Sequence, residues 1–133
     1  MDLTANDKSM TTDRALFAAG ALIGCLGVIA GAFGAHALRE QLGPERLAQY
    51  ELAVRYQMYH ALAIVAASYA FVRWPSLWPT AAGLSFLVGI VIFCGTVYAL
   101  SFGAPRWLGA ITPIGGVALI AGWAMLVWSA IKT

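Results

Sequence analysis

Charge is scarce in this chain. Of its 133 residues, 11% are Asp, Glu, Lys or Arg and 61% are hydrophobic, whereas a soluble domain carries about 25% charged residues. That is too few to cover a folded surface in water, and a mean hydropathy of +0.77 makes lipid the better solvent. Cysteine is sparse as well. Cys25 and Cys94 are the only two; both fall inside apolar runs and no CxxC spacing occurs, which excludes a disulfide framework and a dithiol redox pair. The formal charge of +2 comes without a basic cluster, which excludes a nucleic-acid partner. The sequence has no HExxH, no H-x-x-x-H and no Ser/His/Asp set, and no carboxylate lies deep in an apolar run. None of the usual chemical signatures of a membrane enzyme is present. The expectation is no enzyme, no cofactor and no metal site.

What the chain has is apolar length. Its charges collect in residues 1–14 and 39–55 and at Arg73, Arg106 and Lys132. The stretches between define spans at about 15–36, 50–73, 79–102 and 108–131. Crossing the hydrocarbon core takes about 20 helical residues, and only helices and closed barrels satisfy their backbone in lipid. The runs lack the two-residue alternation of a barrel strand. The expected fold is therefore all-α: a four-helix transmembrane bundle forming one domain over 15–131. A flexible polar tail is expected over 1–14, and a short amphipathic interfacial segment between helices 1 and 2. Ala35-His36-Ala37 imitates a signal-peptide cleavage site, but the preceding run is too long and a polar, aspartate-bearing stretch precedes it, so it reads as a retained span.

Helices in lipid associate through close contact, which small residues allow. In the first span Gly20, Gly24, Gly27, Gly31 and Gly34 recur every three or four residues, so they share one helix face. Strips on the other spans are read as their counterparts: Ala53, Tyr56, His60, Ala63, Ala67 and Ala70; Ser85, Gly89, Ile92, Thr96 and Ala99; Gly115, Ala118, Gly122 and Met125. Gly20, Gly24, Gly27, Gly31, Gly34, Gly89, Gly115 and Gly122 are the expected helix-packing positions. Gly43-Pro44 is a stop followed by a start. Thr112-Pro113 suits either a helix start or a kink in a longer helix beginning near Arg106.

Polar residues within the spans concentrate toward the side of the 39–51 loop, here called the loop side, with few on the other side besides Ser68, Tyr69 and Ser85. The candidate cluster is His36, Arg55, Tyr56, Gln57, His60, Thr96, Tyr98 and Thr112. The opposite, terminal side has Trp74, Trp78, Trp123 and Trp128, read as an interfacial belt. Arg55 points roughly 140° from His60 at 100° per residue and is expected to snorkel beside Glu51. His60 lies roughly 12 Å below Leu52 on a small-residue strip and is expected to face protein, bonded to Thr96 or Tyr98. His36 and His60 lie at different depths, which argues against shared metal or haem ligation. Lys8, Arg14, Arg73 and Lys132 on one side balance Arg39, Arg46, Arg55 and Arg106 on the other, so the positive-inside rule assigns no orientation.

The segments "GAFGAHAL" (Gly31–Leu38), "VRYQMYHALA" (Val54–Ala63), "IFCGTVYALSFG" (Ile92–Gly103) and "ITPIGGVALIAGW" (Ile111–Trp123) resemble the YgdD/YwdK-like family of small integral membrane proteins of uncharacterised function. The resemblance runs from about Ala15 to Trp128. It implies a four-span protein of the bacterial inner membrane and carries over no catalytic or binding residue. Where this chain has Cys94, the family pattern has a small residue, which argues against an essential thiol. The expected role is structural or accessory, with membrane lipid as partner and a homo-oligomer as a further expectation. The alternative is a carrier of a small solute, proton or ion through a polar cavity around His60 and His36.

Overall fold

In the computed structural model the described residues are 3–132, with side chains from Thr12 onward. They form helix α1 (Leu3–Phe33), α2 (Pro44–Arg73), α3 (Leu77–Gly89), α4 (Gly95–Ser101) and α5 (Thr112–Ile131), with no strand among the described residues. A π-helical turn, Gly34–Leu38, extends α1, and another, Ile90–Cys94, joins α3 to α4 in one continuous rod. Helix α1 lies along α2, α3 along α5, and α2 touches every other helix.

The ends of these helices follow local chemistry. Gly43 is extended and Pro44 occupies the first helical turn of α2, where a missing N–H costs nothing. No breaker follows before Arg73, so α2 runs unbroken for 30 residues. As the Gly43-Pro44 stop and start implies, the interfacial segment expected between helices 1 and 2 is the polar first turns of α2, preceded by the short link over 39–43. Helix α4 stops at Gly103, whose φ of 91° suits glycine; Ala104 N–H reaches Ala99 O at 3.0 Å, closing a Schellman stop. Between Thr112's two readings, the helix-start one holds: α5 begins there with Pro113 in its first turn, after a 3₁₀ turn at Arg106–Ala110. In the stretch read as a polar tail, residues 1 and 2 lie outside the described residues and the backbone from Leu3 continues α1.

Among the described residues, three stretches are long and apolar enough to cross a membrane: Thr12–Leu38, Leu77–Ser101 and Arg106–Ile131. Helix α2 has the length but not the apolarity, because Gln57, His60 and Ser68 sit along its core. Those same residues are buried. A central core of Leu16, Ala53, Ala63, Ile64, Phe86, Cys94 and Leu119 holds the helices together. Large apolar side chains cover the outside instead, with Leu62 65%, Val91 72% and Ile120 70% exposed.

The glycine row of α1 meets a row of larger residues on α2. Gly20 lies against Ala61 O and Val65, Gly24 against Ala61, Gly27 against Met58, Gly31 against Val54 and Gly34 against Tyr50. The alanine strip of α2 instead faces α3 and α5, through Tyr56 against Phe93 and His60 against Phe86 and Trp123. Between α3 and α5 small strips do meet, with Gly89 against Gly115 O and Ser85 bonded to Ala118 O. Between α1 and α2 the reading is corrected, because the glycines there meet mostly larger side chains, as a close-packed interior requires. Gly89 receives Leu119 and Gly122 receives Phe86 in the same way. Gly115 is different, because a Cβ there would strike the main chain of Phe93. The π-turn at Ile90–Cys94 widens its helix, and Gly115 is the residue that lets α5 approach it.

Candidate functional site

The interior polar groups form pairs that join helices. At the centre of α2, His60 is 5% exposed. Its Nδ1 lies 2.7 Å from Tyr56 O, and Trp123 Nε1–H donates to Nε2 at 3.2 Å. A carbonyl only accepts and an indole N–H only donates, so His60 is the neutral tautomer protonated at Nδ1. The Phe86 ring stands 5.2 Å from Trp123 and 5.8 Å from His60, which closes this group on the α3 side. Trp123 is 44% exposed, yet its N–H turns inward to His60, which supplies the acceptor that hydrocarbon would not.

One turn toward the loop side, Gln57 bridges three elements. Its Nε2 donates to Ile23 O at 2.9 Å, and Tyr98 Oη–H donates to its Oε1 at 2.7 Å. Tyr50, two turns earlier on the same face of α2, donates to Ala30 O at 2.6 Å and packs edge-on against Tyr98 at 5.2 Å. Thr96 and Thr112 share a hydrogen bond of 2.6 Å that ties α4 to α5, and Thr96 also reaches Ile92 O at 2.7 Å inside the π-turn. His60 therefore bonds neither Thr96 nor Tyr98. Each of those has a nearer partner.

The few hydroxyls expected on the terminal side are paired as well. Ser85 donates to Ala118 O at 2.6 Å and Ser68 to Asp13 O at 2.7 Å, so the pairs continue to the terminal side. A hydroxyl can use a helix carbonyl at any depth, because each carbonyl has a second lone pair. Of the candidate cluster, Gln57 and Tyr98 touch, Thr96 and Thr112 touch, and Tyr56 stacks on His60 at 5.9 Å. His36 and Arg55 are exposed and belong to none of these groups. Tyr50 and Trp123 are members the sequence reading passed over. Tyr50 was within reach, because it is seven residues before Gln57 and so shares its face.

Two cavities of about 450 Å³ each lie at the ends of the bundle. One is lined by Arg73, Trp74, Pro75, Ser76, Trp78, Ser129 and Lys132. The other is lined by Glu45, Arg46, Gln49, Leu100, Gly103, Ala104, Pro105 and Arg106. His60 lines neither.

Helices with apolar outsides, held together within by hydrogen bonds and glycine contacts, define a helical integral membrane protein. The comparisons with known sequences specify it further. The chain belongs to the family described as Protein of unknown function (DUF423), whose profile matches residues 30–116. It is 42% identical to UPF0382 membrane protein SH2409 of Staphylococcus haemolyticus over 119 residues, 85% of this chain and 92% of the relative. It is 40% identical to UPF0382 membrane protein YwdK of Bacillus subtilis over 114 residues, 85% and 93% of the two chains. It is 34% identical to UPF0382 inner membrane protein YgdD of Escherichia coli over 121 residues, 91% and 92% of the two chains. No solved structure matches.

Proposed function

We propose that the chain is a four-span, non-enzymatic protein of the inner membrane with a structural or accessory role. One observation carries this reading: the polar groups at the centre of the bundle are paired across helices. The one buried side-chain polar atom without a partner among the described residues is Asp13 Oδ1, at the terminal end. Both nitrogens of His60 are engaged, and so are both ends of the Gln57 amide. A carrier needs groups that can exchange a partner for a solute, and these already bind other helices. The α1 glycine row is filled by α2, so the seam that self-association could have used is occupied within one chain. Membrane lipid is the partner this arrangement calls for.

Two features support α2 as the fourth crossing. Its 30 residues extend about 45 Å at 1.5 Å per residue, more than the hydrocarbon core requires. Its polar residues also face helices, where lipid does not penalise them. Single cysteines at Gln41 and Ser76 should label from opposite faces of sealed vesicles. Labelling from one face removes the fourth span.

The functional test is reconstitution. Proteoliposomes carrying the wild-type chain should show no proton, potassium or chloride flux above empty vesicles. A flux that disappears in His60→Gln would overturn the structural reading in favour of the carrier.

A further inference from the structure

The cavity at the terminal end is built differently from its counterpart at the loop end. Three separate pieces of chain line it: the end of α2 with the link that follows, the start of α3, and the end of α5. Among the described residues, two cations face it and no carboxylate does. Among the described residues neither Arg73 nor Lys132 has an acidic partner; each rests on a tryptophan, Arg73 over Trp74 at 5.6 Å and Lys132 over Trp128 at 5.6 Å. Trp78 and Trp128 meet edge-on at 6.3 Å, which gives the cavity an aromatic wall. Three helix ends meet there: the N-terminal end of α3, where Ser76 makes no capping bond, and the C-terminal ends of α2 and α5. The negative macrodipole ends of α2 and α5 oppose the positive end of α3, so the positive potential comes from the Arg73 and Lys132 side chains. The loop-end cavity also holds two arginines, but Glu45 stands beside them.

Tryptophans settle at headgroup depth, and unpaired cations there attract anionic lipid. We propose that this cavity seats the phosphate of an anionic phospholipid headgroup, held by Arg73 and Lys132, with the acyl chains lying along Trp74, Trp78 and Trp128. The site goes beyond the structural role proposed above. It rests on the α2–α3 link lying at the bilayer surface, which the Ser76 labelling reads independently of any lipid binding.

Native mass spectrometry of the full chain in mild detergent, titrated with phosphatidylglycerol or phosphatidylcholine, tests the assignment. The wild type should retain phosphatidylglycerol in preference. Arg73→Gln with Lys132→Gln should weaken that retention about tenfold, since each cation near a charged lipid surface contributes a few-fold. Arg46→Gln with Arg106→Gln at the other end should leave it unchanged. The charge-preserving pair Arg73→Lys with Lys132→Arg should also retain the lipid. The proposal is overturned if phosphatidylcholine is held as strongly, if the two Gln pairs weaken binding equally or not at all, or if the charge-preserving pair loses it. Millimolar inorganic phosphate displacing the lipid would overturn the lipid as the source of the phosphate. Unchanged melting of all three variants in lipid-free detergent shows that they are folded.

Discussion

Helices α2 and α5 are nearly opposite in how composition relates to position. Helix α5 is mostly apolar, and many of its apolar side chains face outward: Ile114, Val117, Ile120 and Val127 are all exposed, while Gly115, Leu119, Gly122 and Ser129 are buried. Helix α2 carries Gln57, His60 and Ser68, and these are buried. In water the preference would run the other way. In lipid the outside of the molecule is the apolar solvent, so apolarity marks exposure and polarity marks contact with another helix. The hydropathy of a segment therefore registers how much lipid it meets. Helix α2 falls short on that measure because it is the helix around which the others pack.

The comparison breaks most sharply at a glycine. Gly115→Leu drives a side chain into the Phe93 backbone, which cannot rotate away. A loss of about 3 kcal/mol is expected, read as a large drop in melting temperature in detergent, whereas Val117→Leu on the outer face of the same helix should change it hardly at all. Next is His60→Leu, which strands the Trp123 N–H in an apolar interior and should cost about 1–2 kcal/mol. A double-mutant cycle with Trp123→Phe should return a coupling of about 0.6 kcal/mol; zero coupling would mean the pair does not form. Tyr98→Phe frees Gln57 Oε1 and should cost about 1 kcal/mol, less in combination with Gln57→Leu than the two changes summed, because one bond cannot be lost twice. Arg55→Gln is the smallest effect. The side chain is exposed, and a change within about 0.5 kcal/mol is expected. A larger one would show that Arg55 has an inward partner.

Much of this fold could be read along the chain. The charge-free runs locate the α3–α4 rod and α5 to within a few residues. Helices α1 and α2 begin earlier than their runs, at Leu3 and Pro44, and Gly43-Pro44 and Thr112-Pro113 mark two helix starts. The two π-turns left no such trace, because Gly34–Leu38 and Ile90–Cys94 read as ordinary helix by composition. The site was legible as a set of residues and not as a set of bonds. Gln57, His60, Thr96, Tyr98 and Thr112 stood out because polar atoms are scarce in these runs. Their partners did not, because pairing depends on how each helix is rotated about its axis. A rotation of one residue, about 100°, would point His60 elsewhere. Trp123 shows the limit most clearly: along the sequence it is one more tryptophan near a chain end, and only packing reveals that its ring meets lipid while its N–H meets His60.

By itself the sequence determined the solvent this protein folds in and the helical form of its crossings. Too little charge for water, and runs long enough for a bilayer, leave the backbone no other way to satisfy its hydrogen bonds. Tertiary structure decided which surfaces meet. The glycines of α1 receive mostly larger side chains of α2, while Gly89 lies against Gly115 O. Gln57, His60, Thr96 and Thr112 bond the partners that packing presents. The physical reason is that apolarity acts on each residue separately, whereas close packing and hydrogen bonds act on pairs whose distances are set by the whole bundle.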